Sequence, residues 1–301
     1  MKFNWKGVLP AITTPFNGDL SVDYGFLAEH GRWMIDAGCT GLVPLGSLGE
    51  GATLTPAEKR RILETCVATL GDRGPVVAAI SSLSTSDAVA LARDAQSIGC
   101  SGLMVLPPYV YSTDWREMKA HVAAVIRATS LPCMLYNNPV AYRTDFVPEQ
   151  VAELAREMPN LASIKESSTD VRRVTAIRAL IGDRLDILIG VDDLIVEGVA
   201  AGAVGWIAGL VNAFPAESVA VYRYAMDGQW EKAVALYRWF LPLLRMDTVP
   251  KFVQLIKLVQ EKVGHGSARV RGPRLEVEGA ELQTALREIE QALATRPSLE
   301  S

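Results

Sequence analysis

Short apolar runs rich in β-branched residues recur along the chain, at residues 7–13, 41–45, 75–80, 102–106, 132–136, 161–165, 187–190 and 205–210. They are continuously apolar rather than alternating, which is the pattern of strands buried on both faces of a parallel sheet. Between them lie stretches of helical period. Val147, Val151, Leu154, Ala155 and Met158 share one helical face, as do Trp115, Met118, Val122, Val125 and Ile126. Thr55-Pro56 with Glu58, and Ser84, read as helix starts. A strand and then a helix, repeated in units of about 30 residues, predicts an α/β fold, a (β/α)8 TIM barrel. Three segments echo one another: Gly38-Cys39-Thr40-Gly41-Leu42, Gly99-Cys100-Ser101-Gly102-Leu103 and Gly202-Ala203-Val204-Gly205-Trp206. Each reads as a helix stop followed by a strand start.

After Asn212 the pattern turns helical, over residues 215–226, 229–244, 249–263 and 279–295. The first of these closes the barrel. The expected division is a catalytic barrel over residues 1–227 and a C-terminal helical extension over 228–301. Phe252, Val253, Ile256, Val259 and Val263 form an apolar stripe, expected to pack on the barrel's outside, with a subunit contact as the alternative.

Composition narrows the function classes. Of 301 residues, 49% are hydrophobic and 21% charged, which excludes a disordered or fibrous chain. The formal charge of -4 comes with no basic stripe, so nucleic acid is not an expected partner. Cys39, Cys66, Cys100 and Cys133 are scattered and read as reduced, buried thiols. Pro10 and Pro15 break the first apolar stretch, so no signal peptide is expected. The most membrane-like stretch, residues 194–211, carries Glu197 and reads as a helix, a glycine turn and a strand. The expected location is cytoplasmic, with no membrane partner.

Chemistry in such barrels sits at the C-terminal ends of the strands. Those ends carry Thr13-Thr14-Pro15-Phe16, Gly46-Ser47-Leu48-Gly49-Glu50, Ser81-Ser82, Pro107-Pro108-Tyr109, Tyr136-Asn137-Asn138-Pro139, Lys165-Glu166-Ser167-Ser168 and Gly190-Val191-Asp192-Asp193. Lys165 stands out because it closes a strand that should be buried. Burial disfavours an ammonium, and a neutral amine can attack a carbonyl to form a Schiff base. A lysine paired with an acid at the barrel mouth fits the same pattern. Tyr136 ends the neighbouring strand, either as a proton shuttle or as a buried tyrosine with a satisfied hydroxyl. The turn around Gly46 and Ser47 offers backbone amides to a carboxylate and a hydroxyl for proton relay, with Glu50 as a brace for the loop. His30, His121 and His265 fall at no strand end, so no metal is expected. Asp192 and Asp193 offer two carboxylates to a cation but read rather as a solvated or hydrogen-bonded loop pair, and Arg269, Arg271 and Arg274 as a solvated basic cluster. Neither GxGxxG nor GxxxxGK[ST] occurs, nor the GxSxG nucleophile elbow, so no nucleotide cofactor is expected.

In combination, Gly7-Val8, Thr13-Thr14-Pro15-Phe16, Gly46-Ser47-Leu48-Gly49-Glu50, Tyr136-Asn137 with Pro139, and Ile164-Lys165-Glu166-Ser167-Ser168 resemble the dihydrodipicolinate synthase / N-acetylneuraminate lyase family, in the same order over nearly the whole chain. The resemblance implies a class I mechanism that uses neither a metal nor another cofactor. Lys165 forms an imine with the 2-oxo group of pyruvate or another 2-oxo acid, Tyr136 is the general acid/base, and Ser47 takes the family's first threonine position in the proton relay. Tyr109 resembles the tyrosine that reaches into an adjacent subunit's site, Gly190 and Ile207 match pocket-lining positions, and the assembly implied is a homotetramer, a dimer of dimers. Three features depart from the synthases, one of them the bulkier turn that Val140 and Tyr142 make. Leu48 replaces their second threonine, and Ala141 stands where they carry an arginine for a substrate carboxylate, with Arg143 two residues further on. The expected function is therefore a Schiff-base lyase acting on a small 2-oxo acid or cyclic imine equivalent, as a dehydratase, deaminase or aldolase. Pyrroline-4-hydroxy-2-carboxylate, deoxy sugar acids and hydroxy-oxoglutarate are candidate substrates. The alternatives are a 4-hydroxy-tetrahydrodipicolinate synthase that condenses pyruvate with aspartate semialdehyde, and a non-catalytic metabolite-binding barrel.

Overall fold

Seven of the expected apolar runs form continuous strands, and every neighbouring pair of strands is parallel. The computed structural model describes residues 4–108 and 114–299. Its elements run β1 (Gly7–Pro10), α1 (Tyr24–Asp36), α2 (Pro56–Leu70), β2 (Val77–Ile80), α3 (Thr85–Ile98), β3 (Gly102–Val105), α4 (Trp115–Arg127), β4 (Cys133–Asn137), α5 (Pro139–Tyr142) and α6 (Pro148–Glu157). They continue with β5 (Leu161–Glu166), α7 (Arg172–Ile181), β6 (Asp186–Ile189), α8 (Ile195–Ala200), β7 (Gly205–Ala208), α9 (Pro215–Met226), α10 (Trp230–Leu244), α11 (Phe252–Lys262) and α12 (Gly279–Ala294). The sheet order is β1-β7-β6-β5-β4-β3-β2.

The expected second strand, at 41–45, is the exception. Only Leu42 makes a ladder bridge, to Val76. Pro44 has no N–H to donate, and Leu45 turns into the left-handed region at φ 69. The segment nevertheless closes the barrel. Thr40 N and Val43 N donate to Val8 and Pro10 carbonyls on one side, while Val77 N and Ala79 N donate to Leu42 and Pro44 on the other. The fold is thus a TIM barrel whose eighth strand position is held by irregular backbone.

The helix starts follow the expected chemistry. Thr55 and Glu58 form a reciprocal capping box on α2, and Ser84 accepts from Asp87 N at α3. The repeated glycines Gly38, Gly99 and Gly202 sit at φ 102, 97 and 103, where a side chain is strained. Each stops a helix and starts the next inward segment. On α6, Val151, Leu154 and Ala155 are buried as expected. All four cysteines are free and buried, and burial pushes each thiol up to about 12, so they pack as inert apolar groups. Among the described residues, no helix is long and apolar enough to cross a membrane.

The C-terminal stripe packs more deeply than expected. Val253, Ile256 and Val259 are fully buried, and the polar Gln254, Lys257 and Gln260 of the same helix are buried as well. Helix α11 does not simply coat the barrel's outside. It lies against the turn Leu210–Asn212, and its polar side chains reach strand-end loops. Gln260 Oε1 accepts from Thr13 Oγ1 at 2.9 Å, and Lys257 Nζ meets Glu50 Oε1 at 2.6 Å. The short turn Arg245–Thr248 ahead of α11 is thereby carried over the mouth of the barrel.

Candidate active site

The strand ends surround a cavity of about 530 Å³ with Lys165 in its wall. Lys165 on β5 is paired in register with Tyr136 on β4 and Leu188 on β6. Its ammonium lies 4.2 Å from the centre of the Tyr136 ring, and the residue is 7% exposed. Burial drives its pKa from 10.5 down to about 8, against the opposing pull of Asp247 and then Asp192. Gly190, after β6, leaves the room this side chain occupies. A β-carbon there would stand 2.4 Å from Lys165 Cε and 2.1 Å from Ser167 Oγ.

Tyr136 is buried, and burial raises its phenol to about 12, while a hydrogen bond from Asn138 Nδ2 at 3.0 Å works in the opposite direction. Ser47 Oγ is hydrogen-bonded to Tyr142 Oη, and the Tyr142 ring stands edge-on to Tyr136, 5.8 Å away. Ser47, Tyr142 and Tyr136 therefore form a row of hydroxyls leading towards Lys165. The rest of the Tyr136 turn is braced by Asn137. Its Oδ1 accepts from Phe146 N at 3.0 Å, and its Nδ2 donates to Asp145 at 3.1 Å and Glu166 at 3.3 Å. Asp145 is gripped in turn by both terminal nitrogens of Arg173.

Gly46, Ser47, Leu48, Ala141, Gly190 and Ile207 all line the cavity. Arg143 does not. It is exposed, at φ 58 in the left-handed C-cap of α5, and stands outside the cavity wall. Tyr109 lies outside the described residues. The basic cluster is not the solvated face expected of it. Arg269 is exposed, but Arg271 grips both carboxylate oxygens of Glu58 and lies 4.6 Å from the centre of the Phe16 ring, while half-buried Arg274 lines the cavity. Asp192 accepts from Trp206 Nε1 at 3.0 Å and Leu210 N at 2.7 Å, as a hydrogen-bonded loop residue should. His30 is fully buried and pushed down to about 3 by burial. Its Nε2 lies 3.1 Å from Asn212 Oδ1, away from the cavity. Arg274 and Asp247 are cavity residues that the strand ends do not reveal, and Tyr142, expected only to add bulk to the turn, brings its hydroxyl to Ser47. Asp247 lies in the turn Arg245–Thr248, far along the chain from the strands it faces, and its only sequence sign is an acid shortly before Pro250.

The family model for the dihydrodipicolinate synthetase family matches residues 4–292. The chain belongs to this family. Curated relatives include a 4-hydroxy-tetrahydrodipicolinate synthase of Agrobacterium fabrum, 33% identical over 89% of this chain and 92% of that one. Another, from Methanococcus maripaludis, is 30% identical over 90% of this chain and 93% of its own. Among solved structures, the 4-hydroxy-tetrahydrodipicolinate synthase of Methylacidiphilum fumariolicum SolV superposes with a TM-score of 0.91 at 27% identity, over 96% of this chain and 97% of that one. A prophage protein of E. coli K12 belonging to the same family, solved in complex with pyruvate, has a TM-score of 0.90 at 25% identity, covering 96% and 99% of the two chains. Dihydrodipicolinate synthetase family members are lyases of the class I aldolase type, and this chain is such an enzyme.

Proposed function

We propose that this family member is a Schiff-base-forming lyase that dehydrates, deaminates or cleaves a small 2-oxo acid or its cyclic imine equivalent. The observation that carries the reading is the buried Lys165 amine, its pKa lowered to about 8, facing a cavity of about 530 Å³ beside Tyr136. The neutral amine adds to the 2-oxo carbon, water departs, and the resulting iminium withdraws electrons from C3. Protons for these steps move along Tyr136, Tyr142 and Ser47. The backbone amides of the turn around Gly46 and Ser47 take the substrate's 1-carboxylate. Leu48 makes the wall apolar where synthases present a hydroxyl, and Gly190 and Ile207 complete it.

The relatives' names favour a second reading, condensation of pyruvate with aspartate semialdehyde. That reaction calls on a guanidinium for the second carboxylate. Position 141 is alanine, and Arg143 is exposed outside the cavity wall. Losing such a charge-assisted pair costs roughly 1.5–3 kcal/mol of binding. Arg274, which does line the cavity, offers a cation from a different direction and suits a different distal group.

The test is to incubate the protein with pyruvate, add borohydride and weigh the peptide that holds Lys165. An adduct of reduced pyruvate is expected, and an unmodified peptide with every 2-oxo acid tried would sink the imine. Initial rates with pyrroline-4-hydroxy-2-carboxylate, deoxy sugar acids and aspartate semialdehyde then separate the two readings. Removing the middle hydroxyl of the row, Tyr142→Phe, should lower turnover by about 10²-fold while pyruvate trapping persists. A wild-type rate in that variant would remove Tyr142 from the relay. The homotetramer implied by the family resemblance belongs to the same reading, and light scattering on the purified chain reads its mass directly.

A further inference from the structure

Asp247 has no role in the steps above, yet it lines the same cavity as Lys165. It is half-buried, and its carboxyl accepts a hydrogen bond from the backbone N–H of Asp192. Its position is set by Gly209: a β-carbon there would stand 2.4 Å from Asp247 Oδ1. The carboxyl thus rests on bare backbone just beyond β7, while Tyr136 sits on β4, and Lys165 on β5 lies between β4 and β7 in the sheet order. The active amine accordingly has phenols on one side and a carboxyl on the other. The other acid in the cavity wall, Glu50, is occupied by Lys257 Nζ at 2.6 Å and Arg271 N at 2.9 Å.

We propose that Asp247 is the general acid that protonates a hydroxyl leaving from C4 of the Lys165-bound 2-oxo acid, which makes the enzyme a dehydratase for 4-hydroxy-2-oxo acids rather than an aldolase. This rests on the imine reading given above. The step balances without any oxidant or further reactant. A C3 proton leaves the iminium to give an enamine. The enamine electron pair then restores the C2=N bond, the C2=C3 pair moves to C3=C4, and the C4–O bond breaks. The departing oxygen takes the proton from Asp247 and leaves as water. Cleavage of C3–C4 needs the opposite service, a base that removes the proton from the C4 hydroxyl, so the protonation state of this carboxyl selects between the two outcomes. The groups facing Asp247 are Lys165, Asp192, Asp193 and Tyr136. Burial first, and then Asp192, raise its pKa well above the usual carboxylate range, and Lys165 opposes them. A neutral acid is the form that donates a proton.

The experiment uses the full chain, a 2-oxo-3-deoxy sugar acid as the elimination probe and pyruvate as the imine probe. Wild type is expected to release water and form the unsaturated product, seen by NMR, without forming pyruvate. Asp247→Asn should lose about 10²–10⁴-fold in elimination while pyruvate trapping by borohydride continues. The unaltered enzyme supplies a second measurement. Its elimination rate should fall as rising pH deprotonates Asp247, whereas pyruvate trapping should rise through about 8 as Lys165 becomes neutral. Four results overturn the proposal: elimination by Asp247→Asn at the wild-type rate, release of pyruvate from the sugar acid by wild type, parallel loss of trapping and elimination in the variant, or elimination and trapping that rise together with pH. A wild-type enzyme that traps no pyruvate at all overturns the imine reading instead.

Discussion

Lys165→Met will abolish labelling by pyruvate and borohydride and lower turnover by on the order of 10⁴-fold or more, the scale seen when a covalent nucleophile is removed. Methionine keeps the length and apolar bulk of the side chain, so the buried strand end stays filled and the protein folds. The effect is chemical. Moving the amine from 10.5 to about 8 represents about 3 kcal/mol of differential stabilisation of its neutral form. At pH 7.5 roughly a quarter of such lysines are neutral, against about one in a thousand for an unperturbed one. Lys165→Arg removes the nucleophile too, because a guanidinium does not deprotonate in this range. Mass spectrometry of the trapped peptide checks both variants, and an adduct on any other lysine would show that the assignment is wrong.

The pH dependence has a fixed sign. Imine formation needs the neutral amine, so single-turnover trapping of pyruvate should rise with pH through about 8 and level above it. A profile that instead rises only near pH 10.5 would mean that burial leaves Lys165 unperturbed.

Much of this frame was readable from the run of residues. The apolar segments ending at Tyr136 and Lys165 became neighbouring strands because continuous burial leaves a parallel sheet few other places to put them. Helix α9 starts and ends where the pattern placed it, at Pro215 and Met226, since Pro at a first helical position and the glycine turn at Gly228 are local signals. The segment at 41–45 misled because an apolar run does not report that Pro44 and the left-handed Leu45 interrupt the ladder. In the cavity, Ser47, Tyr136, Lys165 and Gly190 come together because they all sit at strand ends, a position that topology alone specifies. Arg274 and Asp247 were not readable in this way. They reach the cavity through loops on either side of α11, and no periodic pattern encodes where such a loop crosses the barrel mouth. Arg143 shows the converse error: it is near in sequence to the Tyr136 turn, but the left-handed cap at its own position directs the chain outward.

Lys257→Met should destabilise the protein by about 3–5 kcal/mol, the largest loss expected from a single change outside the cavity. The Lys257 and Glu50 side chains are 2% and 0% exposed, and their charges meet at 2.6 Å. Lys257 Nζ also donates to the Arg269 carbonyl at 2.7 Å and lies 4.3 Å from the centre of the Phe16 ring. Glu50 accepts a further bond from Arg271 N at 2.9 Å. The methionine variant fills the same space but leaves the Glu50 carboxylate buried without its countercharge. The double variant Glu50→Gln/Lys257→Met should recover most of the loss, because replacing both members of a buried pair with neutral groups removes the uncompensated charge. Denaturant unfolding of the three proteins reads the difference, and a Lys257→Met midpoint within error of wild type would mean that the pair contributes nothing. The effect also reaches the cavity. Glu50 N donates to Ser47 O at 3.1 Å, and Glu50 itself sits at φ 52, a strained conformation held by these partners. Loosening it frees the turn that presents Ser47 and the amides beside Gly46. Lys257 is therefore a positioning residue, and Lys257→Met at a temperature where it remains folded should raise KM for the 2-oxo acid more than it lowers kcat.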